Sequence, residues 1–407
     1  MKKIIEYITE TFYFKIAYLL LSLFYVTMFS EIKIVSHIGS KIMLLWGVIL
    51  FVDEIYKRSF LNFNIIKLSL IIFLVFQFIS GFIINRNFNN LIPLFINAIM
   101  FFVVGFSVKE KNRDKVKTEI ADICKVFILI TFILSSVSLI LFIRKSYITF
   151  HGNPYGYLYE GAFIGLYTNE NTFGIACAIS IIMSLIVIAL EKDIKVNRML
   201  PYFINVGLQL LVLTKSGGRS AKLGIVVFLV FIVFIYVKNI YFRLVYILTG
   251  LGGLGIIVNN LYKANKIEKV LSGRYELWTT ATGVIKHNIL FGVGNYNLVN
   301  AVKQYSKSEL SGIEGGGLHN IFLQIFTANG LFAVISWMIF LLTFFIFIII
   351  RTDRILNKKE RVLSIVIISM LLAIVSINIF EASIAYIVSF ISLIFWIYAG
   401  YIYTLVK

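Results

Sequence analysis

Apolar residues in this chain come in long blocks divided by short polar connections, not in the alternating pattern of half-buried strands. Blocks such as Leu223–Val237 with its flanks and Gly330–Ile350 reach the length, about 20 residues, that crosses the hydrocarbon core of a bilayer. Hydropathy and flanking charge predict about twelve transmembrane helices. They fall near 16–30, 34–52, 67–84, 91–108, 126–143, 172–190, 199–214, 222–237, 244–260, 330–350, 362–378 and 384–405. The expected fold class is therefore all-α: a polytopic integral membrane protein, one transmembrane domain over 1–407. The first apolar run follows the acidic Glu6 and Glu10 and lacks a small-residue cleavage site, so it reads as a permanent helix.

Composition agrees: 59% of residues are hydrophobic, 14% are charged, and mean hydropathy is +0.91. Soluble domains carry a larger charged share. The net charge of +18 would suit a nucleic-acid binder, but its placement assigns most of it to topology. With the N-terminus in the cytoplasm, the alternate loops hold Lys57, Arg58, Lys109, Lys111, Arg113, Lys115, Lys117, Lys192, Lys195, Arg198, Lys238, Arg243, Arg351, Arg354, Lys358, Lys359 and Arg361. Asp53, Asp114, Asp122, Asp193 and Asp353 fall in the same loops, and the opposite face has no aspartate. Both termini are thus expected in the cytoplasm, and nucleic acid is not an expected partner. Cys124 and Cys177 fall in different environments, and no disulfide is expected.

Two segments on the outer face are long, 144–171 and 261–318, and long loops among tight connections are where function concentrates. Within the larger one, Leu271, Tyr275, Trp278, Thr282, Ile285 and Ile289 recur at helical spacing. They predict a short amphipathic helix on the membrane interface with Trp278 at headgroup depth, ended by Gly292 and Gly294. Gly315, Gly316 and Gly317 then lead into His319, which opens a short helix to Ala328 ahead of Asn329 and Gly330.

Four outer-face residues carry candidate chemistry, each with a plainer alternative. Arg219 sits in the tight turn Ser216-Gly217-Gly218-Arg219-Ser220-Ala221 where a span begins, so backbone N–H groups join it in favouring an anion. The alternative is a snorkelling interfacial cation. Arg274, with Trp278 one turn on, presents a planar fork suited to phosphate; the alternative is a salt bridge to Glu276 or a headgroup contact. His319 suits a general base; the alternative is a capping or lipid-facing histidine. Glu381 is an acid between two spans, functional or simply exposed. His37, His151 and His287 have no metal-ligand spacing with His319, so no metal and no cofactor are expected. The outer acids are the scattered glutamates Glu160, Glu170, Glu268, Glu276, Glu309 and Glu314, which fits a diphosphate held by arginines without metal.

Taken together, Ser272-Gly273-Arg274, Trp278, His287-Asn288-Ile289-Leu290-Phe291-Gly292-Val293-Gly294, Asn297, His319-Asn320, Leu323-Gln324 and Gly330 resemble the O-antigen polymerase and O-antigen ligase superfamily. The turn bearing Arg219 looks like that family's arginine turn, and Asn169-Glu170-Asn171-Thr172-Phe173-Gly174 resembles its asparagine-bearing upstream segment. The resemblance covers most of 169–345. It implies a glycosyltransferase of the bacterial cytoplasmic membrane, working on its outer face with glycans carried on undecaprenyl diphosphate. Arg219 and Arg274 match the arginines that hold the leaving diphosphate, and His319 matches the histidine that activates the acceptor hydroxyl. Asn320, Trp278, Glu381, Lys215 and Asn171 are supporting candidates. The family turn often reads Ser-Arg-Gly, whereas here Arg219 follows two glycines, so Lys215 or Lys222 is a candidate to share its role.

Polymerase and ligase share these residues and differ in acceptor. An isoleucine-, lysine- and asparagine-rich composition and modest outer loops favour a polymerase of a capsule or exopolysaccharide locus. A flippase and a chain-length regulator of the same pathway, and membrane lipid, are the implied partners. A flippase reading of this chain itself would need charges lining a cavity within the spans, and the spans hold few.

Overall fold

The computed structural model describes residues 7–57, 64–107, 112–158, 161–191, 196–264, 266–271, 273–306, 310, 313 and 317–407. Several sequence expectations fall outside them: Glu6, then Arg58, Lys109, Lys111, Lys192, Lys195 and Asp193 of the basic loops, Glu160, Glu309 and Glu314, Ser272, and Gly315 and Gly316.

Among the described residues ten helices are long and apolar enough to cross a membrane. Two shorter apolar helices, α1 (Thr11–Tyr25) and α15 (Phe390–Val406), bring the set to the positions expected from hydropathy. The long ones include α2 (Lys33–Tyr56) and α3 (Ile65–Phe78, continued as a π-helix over Ile79–Ile84). They also include α4 (Leu91–Ile99, likewise running on to Gly105), α5 (Arg113–Ile143), α6 (Glu170–Leu190), α7 (Val196–Lys215), α8 (Arg219–Tyr236) and α9 (Ile240–Lys263). Three short helices follow in the large loop, α10 (Ile267–Leu271), α11 (Arg274–His287) and α12 (Leu298–Tyr305), then α13 (Ile321–Asp353), which breaks at the non-helical Gly330 into the short helix expected after His319 and a span, and α14 (Lys358–Ile377). This is an all-α, multi-pass membrane protein. Its core is aliphatic and aromatic, with Trp337 and Trp396 fully buried among Phe73, Phe101 and Phe340.

The two ends of the bundle differ. At one end the charges pair: Lys115 with Glu10, Lys117 with Glu360, and Arg243 with Asp353 through two bonds of 2.7 and 3.0 Å. Helix α9 is otherwise almost unburied, so Arg243, which also donates to the carbonyls of Phe234 and Ile235, is its principal anchor. The other end collects the long loops. Asn87 donates to Asn297, and Asn90 accepts from the amide of Tyr296, tying the α3–α4 turn to the large loop.

Two departures from the hydropathy reading have local causes. Segment 144–171 contains a three-stranded antiparallel sheet, β1 (Tyr147–Phe150), β2 (Asn153–Tyr157) and β3 (Phe163–Gly165), where hydropathy predicts only a loop. The expected span over 384–405 begins only at Phe390. Asn378 gathers the amides of Ser383 and Ile384 and the Ser383 hydroxyl on its side-chain oxygen, forming a turn, and Ser389 caps the helix by accepting from the amide of Ser392. Apolar Ile384, Ala385, Ile387 and Val388 hide that turn from a hydropathy average. In α11, Leu277, Ala281 and Val284 are buried against the protein together with Leu298 and Val302 of α12; of the expected stripe, Ile285 is buried and Tyr275 and Ile289 are exposed.

Candidate active site

At the loop-bearing end, the entry to α13 is built by its neighbours. Gly317 has φ +82°, and a Cβ there would stand 2.6 Å from the Gln324 side-chain oxygen. That oxygen accepts from the amide of Leu318. Asn320 caps the helix, accepting from the amides of Phe322 and Leu323 at 3.0 Å each. The amide of Ile321 donates to the Asn378 carbonyl, which fastens this helix start to the turn carrying Glu381. His319, between Gly317 and that cap, holds φ +47°. A left-handed backbone at a non-glycine residue is strained, and such strain is kept where the surroundings dictate the position of a side chain.

Glu381 joins two of the predicted residues. Its carboxylate accepts from Arg274 Nη2 at 3.2 Å through one oxygen and lies 3.5 Å from His319 Nδ1 through the other. All three side chains are largely withdrawn from solvent, at 18%, 15% and 24% exposure for Arg274, Glu381 and His319. The alternative of an exposed Glu381 in a short loop is thereby excluded. Arg274 pairs with this distant acid, where the plainer sequence alternative has it pairing with Glu276 of its own helix. A proton on Nδ1 facing the carboxylate would leave Nε2 as the His319 nitrogen that accepts one. Trp278 is half-buried. It donates from Nε1 to the Leu318 carbonyl at 2.9 Å, its ring is 6.1 Å from that of Phe380, and so it braces both sides of the His319–Glu381 pair.

Arg219 opens α8 after a closely packed glycine turn. A Cβ on Gly217 would fall 1.7 Å from a Glu170 carboxylate oxygen, and one on Gly218 3.2 Å from Gly174 Cα. The two glycines let the turn seat directly on the start of α6. Arg219 Nη1 reaches the carbonyl of Val270, in the short helix just before Arg274, at 3.4 Å. Lys222 folds back onto the carbonyls of Thr214 and Ser216 and closes the turn, and Lys215 lies over the Phe142 ring.

A cleft of about 740 Å³ opens on the His319 side of Glu381. Asn171 lines it, as do Asn169, Glu170 and Ser383. His319, Glu381, Arg274, Trp278, Asn320 and Asn171 are thus brought to one locality, with the Arg219 turn abutting Glu170 at its edge. Sequence reasoning misses Asn378 and Ser383, which hold Glu381 in place. The available signal is an asparagine closing a span ahead of a short apolar stretch. Among the described residues no group of three His, Cys, Asp or Glu side chains could hold a metal ion.

Residues 204–338 match the family model described as O-antigen ligase (Wzy_C). The matched segment contains Arg219, Arg274, Trp278, His319 and Asn320, and leaves out Asn171 and Glu381. No curated protein matches the chain.

Proposed function

We propose, from the premise that residues 204–338 carry an O-antigen ligase-family segment, that this chain polymerises lipid-linked oligosaccharide repeat units. The single observation that carries the reading is the Arg274–Glu381–His319 array, an anion-binding fork and an oriented base joined by one carboxylate. The donor is a glycan on undecaprenyl diphosphate, and the site works on the outer face of a bacterial cytoplasmic membrane, with both termini cytoplasmic.

In this mechanism the donor diphosphate lies against Arg274 and Arg219. A hydroxyl of a second lipid-linked unit approaches His319. Its oxygen attacks the donor's anomeric carbon, and its proton passes to His319 Nε2. The bond between the anomeric carbon and the phosphate oxygen breaks, releasing the lipid diphosphate with inversion at that carbon. The arginines stabilise the charge that grows on the leaving group, and they act as donors fixed in advance. Glu381 keeps the imidazole in its working tautomer and stabilises it when protonated, as a carboxylate does for a histidine base generally. Nothing in this scheme calls for a metal.

The family description itself favours a second reading, a ligase transferring glycan to a lipid A core or a protein. A flippase is disfavoured by a site gathered at one end of the bundle. The test is genetic. In cells whose polymer depends on this chain, His319→Ala and Arg274→Ala proteins should reach the membrane at normal level yet yield only single repeat units. Long polymer from the His319→Ala cells would remove His319 as the base.

A further inference from the structure

The cleft beside His319 has a chemistry that the arginines do not share. Its walls are the start of α6, from Thr168 to Thr172, and the segment from Glu381 to Ile391. Arg274 lies across Glu381 from it: one carboxylate oxygen faces the guanidinium and the other faces His319. A diphosphate on Arg274 and a group beside His319 in the cleft would therefore meet different oxygens of the same carboxylate.

Among the described residues, no lysine or arginine lines the cleft. Two carboxylates do, Glu170 and Glu381. The ends of α6 and α15 contribute roughly half a positive charge each. Both ends are already capped, by Asn169 accepting from the amide of Thr172 and by Ser389 accepting from that of Ser392. A sugar carboxylate or phosphate is ordinarily gripped by a guanidinium or ammonium. Here it would meet two acids instead. Beside those acids and His319 the cleft offers neutral groups: the Asn171 carboxamide, with no hydrogen bond inside the protein among the described residues, and the Thr172 hydroxyl. A carboxamide provides two donors and an accepting oxygen, a match for neighbouring hydroxyls.

From this we infer that the cleft is the acceptor subsite and that it takes an uncharged, hydroxyl-rich sugar, a hexose or N-acetylhexosamine rather than a uronic acid. Asn171 is its specificity-determining residue. The inference rests on the reading of His319 as the base that activates the acceptor.

The test uses the full chain in proteoliposomes with a purified undecaprenyl-diphosphate-linked repeat unit. Benzyl glycosides of glucose, galactose and N-acetylglucosamine, and those of glucuronic and galacturonic acid, are added as soluble competitors of ladder growth. The neutral set should inhibit at concentrations at least about tenfold below the uronides. Asn171→Ala should weaken inhibition by the best neutral glycoside about tenfold, as expected for losing one or two neutral hydrogen bonds, and leave the uronides unchanged. Asn171→Asp, which keeps the side-chain size, should weaken it at least as much. Uronides that inhibit as well as the neutral set, or unchanged neutral inhibition in both variants, would overturn the inference. A wild-type protein that builds no ladder would instead defeat the polymerase reading beneath it.

Discussion

Replacing Glu381 by glutamine keeps the side chain's size and removes its charge. The amide can present an oxygen to Arg274 or to His319, but its NH₂ then faces the other, a donor against a donor. Hydrogen bonds to charged groups contribute about 1.5–3 kcal/mol each. The 3.2 Å contact to Arg274 counts as one such bond; the 3.5 Å contact to His319 is at the outer limit and counts for less. Both partners keep some solvent exposure, 18% and 24%, so the combined loss in the organised site is set at about 2–3 kcal/mol. If that loss falls on the transition state, chain extension slows by about 30- to 150-fold. The assay is the initial rate of ladder growth from a purified lipid-linked unit, at equal amounts of folded protein. Glu381→Asp, which keeps the charge on a shorter arm, should recover part of the rate. A Glu381→Gln protein extending chains at the wild-type rate would refute the idea that this carboxylate organises Arg274 and His319.

Three further outcomes are expected. Arg274→Lys keeps the charge but loses the planar fork, so kcat/KM for the lipid-linked unit should fall by about tenfold or more, measured by the same ladder assay. Gly330→Ala should strongly reduce the yield of monodisperse protein on size exclusion. Gly330 has φ +79°, and a Cβ there would stand 2.1 Å from the Leu290 carbonyl oxygen, a backbone atom that cannot swing aside. Arg243→Ala leaves Asp353 without its close bidentate partner, with Arg361 at 3.9 Å, and should cost about 3 kcal/mol, seen as a lower melting temperature in detergent and faster proteolysis within α9.

The membrane fold was legible in the sequence because transmembrane helices need only length and apolarity, and both can be read locally. Boundaries set by side-chain hydrogen bonds were not. The Asn378 turn delays α15, and no periodicity announces an asparagine that folds back on residues five and six positions later. The sheet over 147–165 was hidden for a related reason: its strands are three to five residues long and only partly buried. At the site, the individual residues Arg219, Arg274, His319 and Glu381 were identifiable as charged or titratable groups on a largely apolar chain. Their relation was not, since Glu381 lies more than a hundred residues beyond Arg274 and meets it only through tertiary packing. The Trp278 contact was hidden for the same reason: its indole N–H finds the Leu318 carbonyl forty residues on.

The central claim is that this chain makes a glycosidic bond between two lipid-linked units. It is tested most directly by reconstituting the purified protein in liposomes with a lipid-linked repeat unit and no other component. The account predicts a ladder of longer lipid-linked glycans with release of one undecaprenyl diphosphate for each bond formed. Movement of the unit across the bilayer without any bond formation, or transfer only when a lipid A core or protein acceptor is supplied, would contradict it.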